Sequence, residues 1–392
     1  MRSAEDTRNF WQLVALGGAV TAVGLGAAHL MEEHGHAITG MDNAVVWGLP
    51  HVFAIFMIVA ASGVLNVASI GSVFGQAAYK PRAPLSGLLC LALLAGGLMV
   101  LMLDLGRPER VIVTLTHVNP TSVFAWNVLL YPGMAAVVAI YLWTMFERRL
   151  NAWSRPAGLA ALVWRFVLTT GTGSIFAFLV ARQAYGSALL APLFIVLSFG
   201  WGLAVFLIVQ SSMYAWNGQA LDAAVRQRLA RLLGIFVAAS FYLVVVYHLT
   251  NLYFARQVAF EAFILRDGGI YPVLLWLGVG VVGTLLPMLL LFHPKCGSDR
   301  DIVVAAGFVL AGAFAWLYVF IVGGQAFPLD VFPGHEVTSR FGDGAVADYR
   351  PSWPELLLGV GGVGAAFLIT VVGVRAFDFM PQDDLPAVPG KG

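Results

Sequence analysis

The sequence has very few charged residues for its length. Of its 392 residues only 11% are Asp, Glu, Lys or Arg, whereas 59% are hydrophobic, and the mean hydropathy is +0.83. Soluble domains carry about 25% charged residues, so this composition excludes an ordinary soluble domain. The chain is therefore predicted to be a membrane protein in which short loops connect apolar segments.

Cysteine is scarce as well. The sequence contains two, Cys90 inside an apolar segment and Cys296 in a predicted loop. Iron–sulfur clusters and cysteine-rich zinc sites need more thiolate ligands than this, so the protein cannot hold either kind of centre by itself. Any metal centre must use histidine or belong to a partner.

Acidic residues are missing from the interiors of the long apolar runs. About ten such runs are each close to the length of a membrane-spanning helix. They cover residues 11–31, 50–74, 85–103, 122–146, 157–181, 190–214, 230–252, 271–292, 302–322 and 354–374. The first run is too long for the apolar part of a signal peptide, so we expect it to be retained. The fold class is predicted to be all-α integral membrane, with about ten transmembrane helices.

The distribution of basic residues predicts an orientation. Fourteen Lys and Arg residues lie on the side of the two termini, seven lie on the opposite side, and Arg165 lies inside a span. The positive-inside rule then places residues 1–10 and 376–392 in the cytoplasm as tails. The long loop at 323–353 is predicted to face outward, where the loops carry more acid than base.

Four protonatable residues follow the helical spacing i, i+3, i+4 and i+7 at the outer end of the first run: His29, Glu32, Glu33 and His36. They share one face if the helix continues through them. Such side chains can take up or deliver the protons that accompany two-electron chemistry of a quinone. The alternative is a solvated helix end, which Gly35 would terminate.

Two further candidates lie at the same predicted membrane face. His51 opens the second run, where a ring nitrogen can bond a quinone carbonyl or where the residue is simply interfacial. Asp104 ends the third run, because the Gly and Pro that follow it stop a helix. Its carboxylate is expected to face a pocket or to pair with Arg107 or Arg110.

Polar residues inside the later runs have two interpretations each. Asn127 and Tyr131 lie one turn apart on the fourth run and bond either neighbouring helices or a ligand. On the seventh run, Tyr247, His248 and Asn251 form either a second polar site or interhelical hydrogen bonds. We favour the second interpretation, because the sequence shows no carboxylate that pairs with this histidine.

Three general points constrain the function. Arg165 lies near the predicted cytoplasmic end of its run, so snorkelling to the membrane surface explains it. No carboxylate lies at the predicted middle of the membrane, which disfavours an ion-coupled transporter. A b-haem subunit remains an alternative, for which only His29, His51 and His248 are deep enough.

Two stretches of the sequence resemble the NrfD/PsrC family of quinone-interacting membrane subunits. The first is Asp104-Leu-Gly-Arg-Pro108 together with Trp126-Asn127. The second is GMDNAVVWGLPHVFAIF at 40–56 with AASGVLNVAS at 60–69. It is more particularly similar to the DsrP branch, the membrane subunits of DsrMKJOP complexes. The resemblance covers nearly the whole chain.

The resemblance implies a particular organisation. Two four-helix bundles, at 11–146 and 157–292, would be followed by two further helices within 302–375. The subunit would have no metal of its own and would exchange electrons and protons between a membrane quinone, menaquinone or ubiquinone, and a periplasmic ferredoxin-like iron–sulfur subunit of the DsrO type. Other DsrMKJ-like subunits would complete a sulfur-metabolism complex in the bacterial cytoplasmic membrane.

The resemblance also implies roles for individual residues. His29 matches the first-helix histidine of the family, Asp104 its characteristic acid, and Tyr131 its fourth-helix tyrosine beside the quinone. Spacing alone adds four more candidates: Glu32, Glu33, His51 and Asn127. His29, Glu32, Glu33 and Asp104 are predicted to move protons, and His29, His51, Asn127 and Tyr131 to hold the quinone.

Overall fold

Ten helices in the described part of the chain are long and apolar enough to cross a membrane. The computed structural model describes residues 4–219, 221–293, 297–329, 344–377 and 379. The helices are α1 Thr7–His34, α2 Leu49–Ser72, α3 Ala77–Leu103, α4 Val123–Phe146, α5 Arg148–Ala177, α6 Leu190–Trp216, α7 Ala223–Tyr253, α8 Ile270–Phe292, α9 Asp299–Ala326 and α10 Trp353–Ala376. The predicted all-α membrane fold is confirmed.

Helix ends lie beyond the predicted runs where a polar residue caps the helix. Helix α7 begins at Ala223 because the side chain of Asp222 accepts from the N–H groups of Ala224 and Val225. Ser298 and Asp301 form a capping box at the start of α9. These caps satisfy backbone donors that no intrahelical carbonyl can reach. They also extend each helix past the apolar run into its charged flank.

Helix α2 lies at the centre of the fold. Most of its membrane-spanning window is buried inside the protein, and it packs against α3, α6 and α10. A helix that is apolar all round is expected in such a position. His51 lies in the first turn of this central helix, so its backbone position is set by a helix that packs against several others.

Helix α1 packs mainly on α10, so the first and the last of the ten spans lie side by side. The contact depends on small residues: a Cβ on Gly24 would lie only 2.5 Å from the Cα of Gly361. Close approach of helix backbones through glycine is a common mode of packing in membranes. Helix α10 also contacts α2 and α3. The grouping of the spans into two four-helix bundles stays a prediction.

Arg165 does not snorkel, so that prediction is wrong. Its side chain is buried in the protein and its Nη1 donates to Oδ1 of Asn66 at 2.6 Å. The guanidinium also lies over the rings of Phe166 and Phe199. Because α2 offers an amide and carbonyl oxygens, the charge stays inside the protein and joins α5 to α2.

Three predicted segments are described only in part. The predicted cytoplasmic tail 1–10 contains the start of α1, which is already helical at Thr7. In the predicted loop 323–353, α9 continues to Ala326, and residues 330–343 lie outside the described residues. So do Cys296 and most of the predicted tail 376–392.

Candidate functional site

The end of α1, the start of α2 and the end of α3 meet at one end of the molecule, which we call the His51 end. Helix α1 stops at His34 because Gly35 adopts a left-handed conformation with φ of 70°. The backbone then forms a short turn, His36–Ile38. The predicted four-residue stripe is therefore interrupted before its last member, His36.

The remaining three residues of the stripe face mainly solvent or lipid. His29 Nε2 lies 3.3 Å from Glu33 Oε1, and both side chains are more than half exposed. An ion pair this exposed contributes little free energy. Glu32 is also exposed, but it lines a cavity at the His51 end, which is described below.

Asp104 ends α3 and is buried against α2 rather than against an arginine. Its Oδ2 lies 2.8 Å from Nδ1 of His51, and the two side chains are 1% and 14% exposed. Arg107 and Arg110 are exposed. The prediction that Asp104 pairs with one of these arginines is therefore wrong. The alternative, a carboxylate that faces a pocket, stays a prediction, because Asp104 is buried in the protein without lining the cavity described below.

The contact between His51 and Asp104 is close but not aligned as a hydrogen bond. Neither oxygen of Asp104 has a hydrogen-bond donor within the described ranges. A buried carboxylate without such donors is rare in proteins, and catalytic hydrogen bonds are often poorly aligned when the substrate is absent. This arrangement marks the pair as a candidate site.

Trp47 covers one face of the His51 imidazole. The two rings are stacked with centroids 5.9 Å apart, and Trp47 also packs edge-on against Phe176. The backbone of Trp47 is fixed by Gln325 of α9, whose Oε1 accepts from the N–H of Trp47 at 3.0 Å and whose Nε2 donates to its carbonyl at 2.9 Å. Gln325 was not among the predicted site residues, because nothing in the sequence around it indicates a contact with residue 47.

A cavity of about 130 Å³ lies between the ends of α1 and α3, against the residues that flank Asp104 in the chain, although neither His51 nor Asp104 lines it. Its lining includes His29, Glu32 and His36 from the first helix and its turn, and Leu103, Leu105 and Gly106 from the segment around Asp104. A cavity of about 150 Å³ holds one benzene ring, so this space suits one ring of an aromatic headgroup. Two of the residues predicted to move protons, His29 and Glu32, line it together with His36.

Asn127 and Tyr131 lie elsewhere, between α4 and α5. The amide of Asn127 donates to the carbonyl oxygens of Val123 and Gly171 at 2.9 and 3.1 Å. Tyr131 is buried and shares a hydrogen bond with Thr172. Neither residue lines the cavity. The interhelical interpretation accounts for these contacts, and a role with quinone stays a prediction.

A second histidine–carboxylate pair lies near the end of α7, and it was not predicted. His248 Nδ1 lies 2.7 Å from Oε2 of Glu261, and Asn251 Nδ2 donates to its Oε1 at 2.7 Å. The expectation that no carboxylate pairs with His248 is therefore wrong. The signal was a lone acid between Phe260 and Phe263 in an apolar stretch. Glu261 is fully buried and both its oxygens are bonded, unlike those of Asp104.

The sequence is similar to a protein family and to several known membrane subunits. The family model described as polysulphide reductase, NrfD, matches residues 37–329. An Hdr-like menaquinol oxidoreductase integral membrane subunit of Archaeoglobus fulgidus is 29% identical over 96% of this chain and 95% of its own length. A putative dimethyl sulfoxide reductase membrane subunit of Halobacterium salinarum is 28% identical over 90% and 88%. A polysulfide reductase subunit of Wolinella succinogenes is 26% identical over 73% and 96%.

Proposed function

Because this chain belongs to the polysulphide reductase NrfD family, we propose that it is the membrane subunit through which an oxidoreductase complex exchanges electrons and protons with a membrane quinone. The observation that carries the proposal is the close pair of His51 and Asp104. It lies at the end of the molecule where a cavity is lined by Leu103 and Leu105, the chain neighbours of Asp104, and by further protonatable residues. In this proposal the quinone is the substrate, and its headgroup occupies the cavity at the His51 end.

The pair supplies the proton chemistry that quinol oxidation requires. A carboxylate beside Nδ1 favours the tautomer with the proton on that atom, so Nε2 is free to accept a hydroxyl proton from the quinol. Asp104 then stabilises the imidazolium that forms. Oxidation of one quinol releases two protons and two electrons. Glu32 and His36 at the cavity wall are placed to take the second proton, and the electrons pass to a partner subunit. Quinone reduction is the reverse.

The names of the relatives support the class of substrate and of complex. One is a menaquinol oxidoreductase subunit, and others are subunits of polysulfide and dimethyl sulfoxide reductases. We therefore favour menaquinone as substrate and a sulfur-metabolism complex of the DsrMKJOP type. The distribution of Lys and Arg favours cytoplasmic termini in the cytoplasmic membrane, so the His51 end would face the periplasm.

A short, exposed apolar helix at the same end is a candidate docking surface for the partner. The short helix Val111–Thr116 buries none of its residues and exposes Ile112, Val113 and Leu115. Exposed apolar side chains in a loop between spans fit contact with another subunit. We propose that the periplasmic, ferredoxin-like iron–sulfur subunit of the DsrO type covers this helix and receives the electrons.

The experiment titrates the purified complex with a fluorescent quinol-site inhibitor and compares His51→Gln with His117→Gln. His117 lies at the same end and is exposed, with its ring nitrogen beside the Thr116 hydroxyl. Saturable binding that His51→Gln weakens by about tenfold or more, and that His117→Gln leaves unchanged, supports the proposal. A wild-type complex that does not bind the inhibitor contradicts it. A reduced-minus-oxidised spectrum of the isolated subunit with a haem band would favour the b-haem alternative.

A further inference from the structure

A buried carboxylate on α10 contacts the loop that precedes α2 and leads to His51. Glu355 is fully buried. Its Oε2 accepts from the backbone N–H groups of Gly40 at 2.9 Å and Ser352 at 2.7 Å, and its Oε1 accepts from the hydroxyl of Tyr349 at 2.5 Å. Glu355 therefore ties the start of α10 to the loop before α2.

Tyr349 completes the connection to α2. Its hydroxyl oxygen accepts from the backbone N–H of Leu49, the first residue of α2, at 2.7 Å. The N-cap residue of α2 is Gly48, which has no side chain to fill this role. Helix N-termini leave donors that need partners, so a tyrosine three hundred residues later in the sequence caps the helix that contains His51.

The fit around this cap is tight. A Cβ on Gly48 would lie 2.5 Å from Oε1 of Glu355 and 2.6 Å from the hydroxyl oxygen of Tyr349. Only glycine allows such an approach at this position. Burial and the neighbouring Glu355 carboxylate raise the pKa of Tyr349, which keeps its hydroxyl protonated as the donor to Glu355. The carboxylate itself lies at the N-termini of two helices, where negative charge is favoured.

We propose that Tyr349 and Glu355 are positioning residues for the pair of His51 and Asp104. Leu49 lies two residues before His51, in the same first turn of α2. A hydrogen bond at Leu49 therefore fixes where the turn begins, and with it the distance between the imidazole and Asp104 on α3. This inference rests on the proposed function for the meaning of the pair, but its geometry does not depend on that function.

Both positioning residues lie on α10 or just before it, outside the range that the family model matches. The family model matches residues 37–329 and so does not reach α10. His51 and Asp104 lie within the matched range, whereas Tyr349 and Glu355 lie outside it. The last helix of this chain is thus more than an additional membrane anchor: it holds the first turn of α2 in place.

The experiment compares Tyr349→Phe with Tyr141→Phe in the assembled complex. Each substitution removes one hydroxyl from a buried tyrosine. The Tyr141 hydroxyl makes two hydrogen bonds of its own, to Ser72 Oγ at 2.6 Å and to the Ala68 carbonyl at 3.3 Å. These partners lie in the last turns of α2 and so at its opposite end. Glu355→Gln is a second variant, which replaces one acceptor by a donor.

Two measurements are made on each variant. The first is the rate at which diethylpyrocarbonate modifies His51, followed by mass spectrometry of its peptide, which needs no quinone. The second is the affinity of the quinol-site inhibitor. For Tyr349→Phe and Glu355→Gln we expect His51 modification to rise and inhibitor affinity to fall, each by about tenfold, in line with second-layer residues that orient a histidine. Tyr141→Phe should change neither.

The outcomes separate the two proposals. An unchanged modification rate in Tyr349→Phe, or an equal rise in Tyr141→Phe, overturns the positioning role. Where the wild type binds the inhibitor, a raised rate with unchanged inhibitor affinity also overturns it, because His51 would then move without consequence for the site. Faster modification in a protein whose wild type does not bind the inhibitor supports the positioning role and counts against the proposed quinone site alone.

Discussion

Nδ1 of His51 lies 2.8 Å from Oδ2 of Asp104 and so joins the first turn of α2 to the residue that caps α3. The carboxylate is nearly inaccessible, whereas the imidazole keeps an exposed edge. A proton can therefore reach the imidazole from outside, while the charge that stabilises it stays within the protein. This division of roles is what a proton acceptor for quinol needs.

Asp104→Asn should lower quinol turnover of the complex by about a hundredfold, within the usual range for loss of a general acid–base group. Asparagine has nearly the same shape but no charge, so the imidazolium formed by proton transfer loses its stabilising partner. Turnover is measured with a quinol donor and the acceptor of the complex. The unfolding temperature should stay close to that of wild type, and undiminished turnover in a folded variant would contradict the assignment.

Glu261→Gln is expected to behave differently, although it alters the other histidine–carboxylate pair. Both oxygens of Glu261 are already bonded, by His248 and Asn251, so the residue is predicted to be structural. The amide introduced by glutamine would face one of these donors. We expect a loss of about 1–3 kcal/mol in stability, measured by chemical denaturation, with quinol turnover retained.

A specific result would reverse this view of the second pair. If Glu261→Gln abolished turnover as strongly as Asp104→Asn while the denaturation midpoint stayed unchanged, the pair at the end of α7 would also belong to the proton chemistry. Asp104→Asn serves as the matched comparison, because each variant neutralises one buried carboxylate beside one histidine.

The sequence was sufficient to predict the ten spans, because apolar runs of that length have few alternatives. It failed at helix ends, where caps such as Asp222 extend a helix beyond its apolar run. It also failed for Arg165, whose position near a run end indicated snorkelling. The partner that keeps this residue inside, Asn66, lies on another helix and leaves no local signal.

The candidate site was predicted only in part, again because contacts between distant segments leave no local signal in the sequence. Spacing and helix stops placed His51 and Asp104 at one end of the molecule, but the pairing itself depends on how α2 and α3 pack. Gln325 and Glu355 bond the segment before His51 from far along the sequence: Gln325 accepts from Trp47, 278 residues away, and Glu355 accepts from Gly40, 315 residues away. Only the assembled fold shows such contacts, which is why a pattern in one segment could not predict them.

The acidic residues at the end of α1 should differ in importance. Glu33 is exposed, and its ion-pair partner among the residues that the structure describes is the exposed His29, whereas Glu32 lines the cavity. Glu33→Gln should leave inhibitor affinity unchanged and alter stability by less than about 1 kcal/mol. Glu32→Gln should slow turnover, since it removes a proton-accepting group from the cavity wall. Equal effects of the two substitutions on turnover would show that proximity to the cavity does not decide the role.

The packing of α1 on α10 can be tested with two glycines of one helix. A Cβ on Gly24 would lie 2.5 Å from the Cα of Gly361, whereas a Cβ on Gly26 would meet nothing within 4 Å. Gly24→Val should therefore force the helices apart and destabilise the protein by about 1–3 kcal/mol, measured as a lower unfolding temperature. Inhibitor affinity should fall as well, because α1 forms one wall of the cavity. Gly26→Val makes the same change in helix propensity, but its side chain would face outward, so this variant should resemble wild type. Comparable destabilisation by both variants would mean that valine in the helix, rather than contact with α10, is responsible.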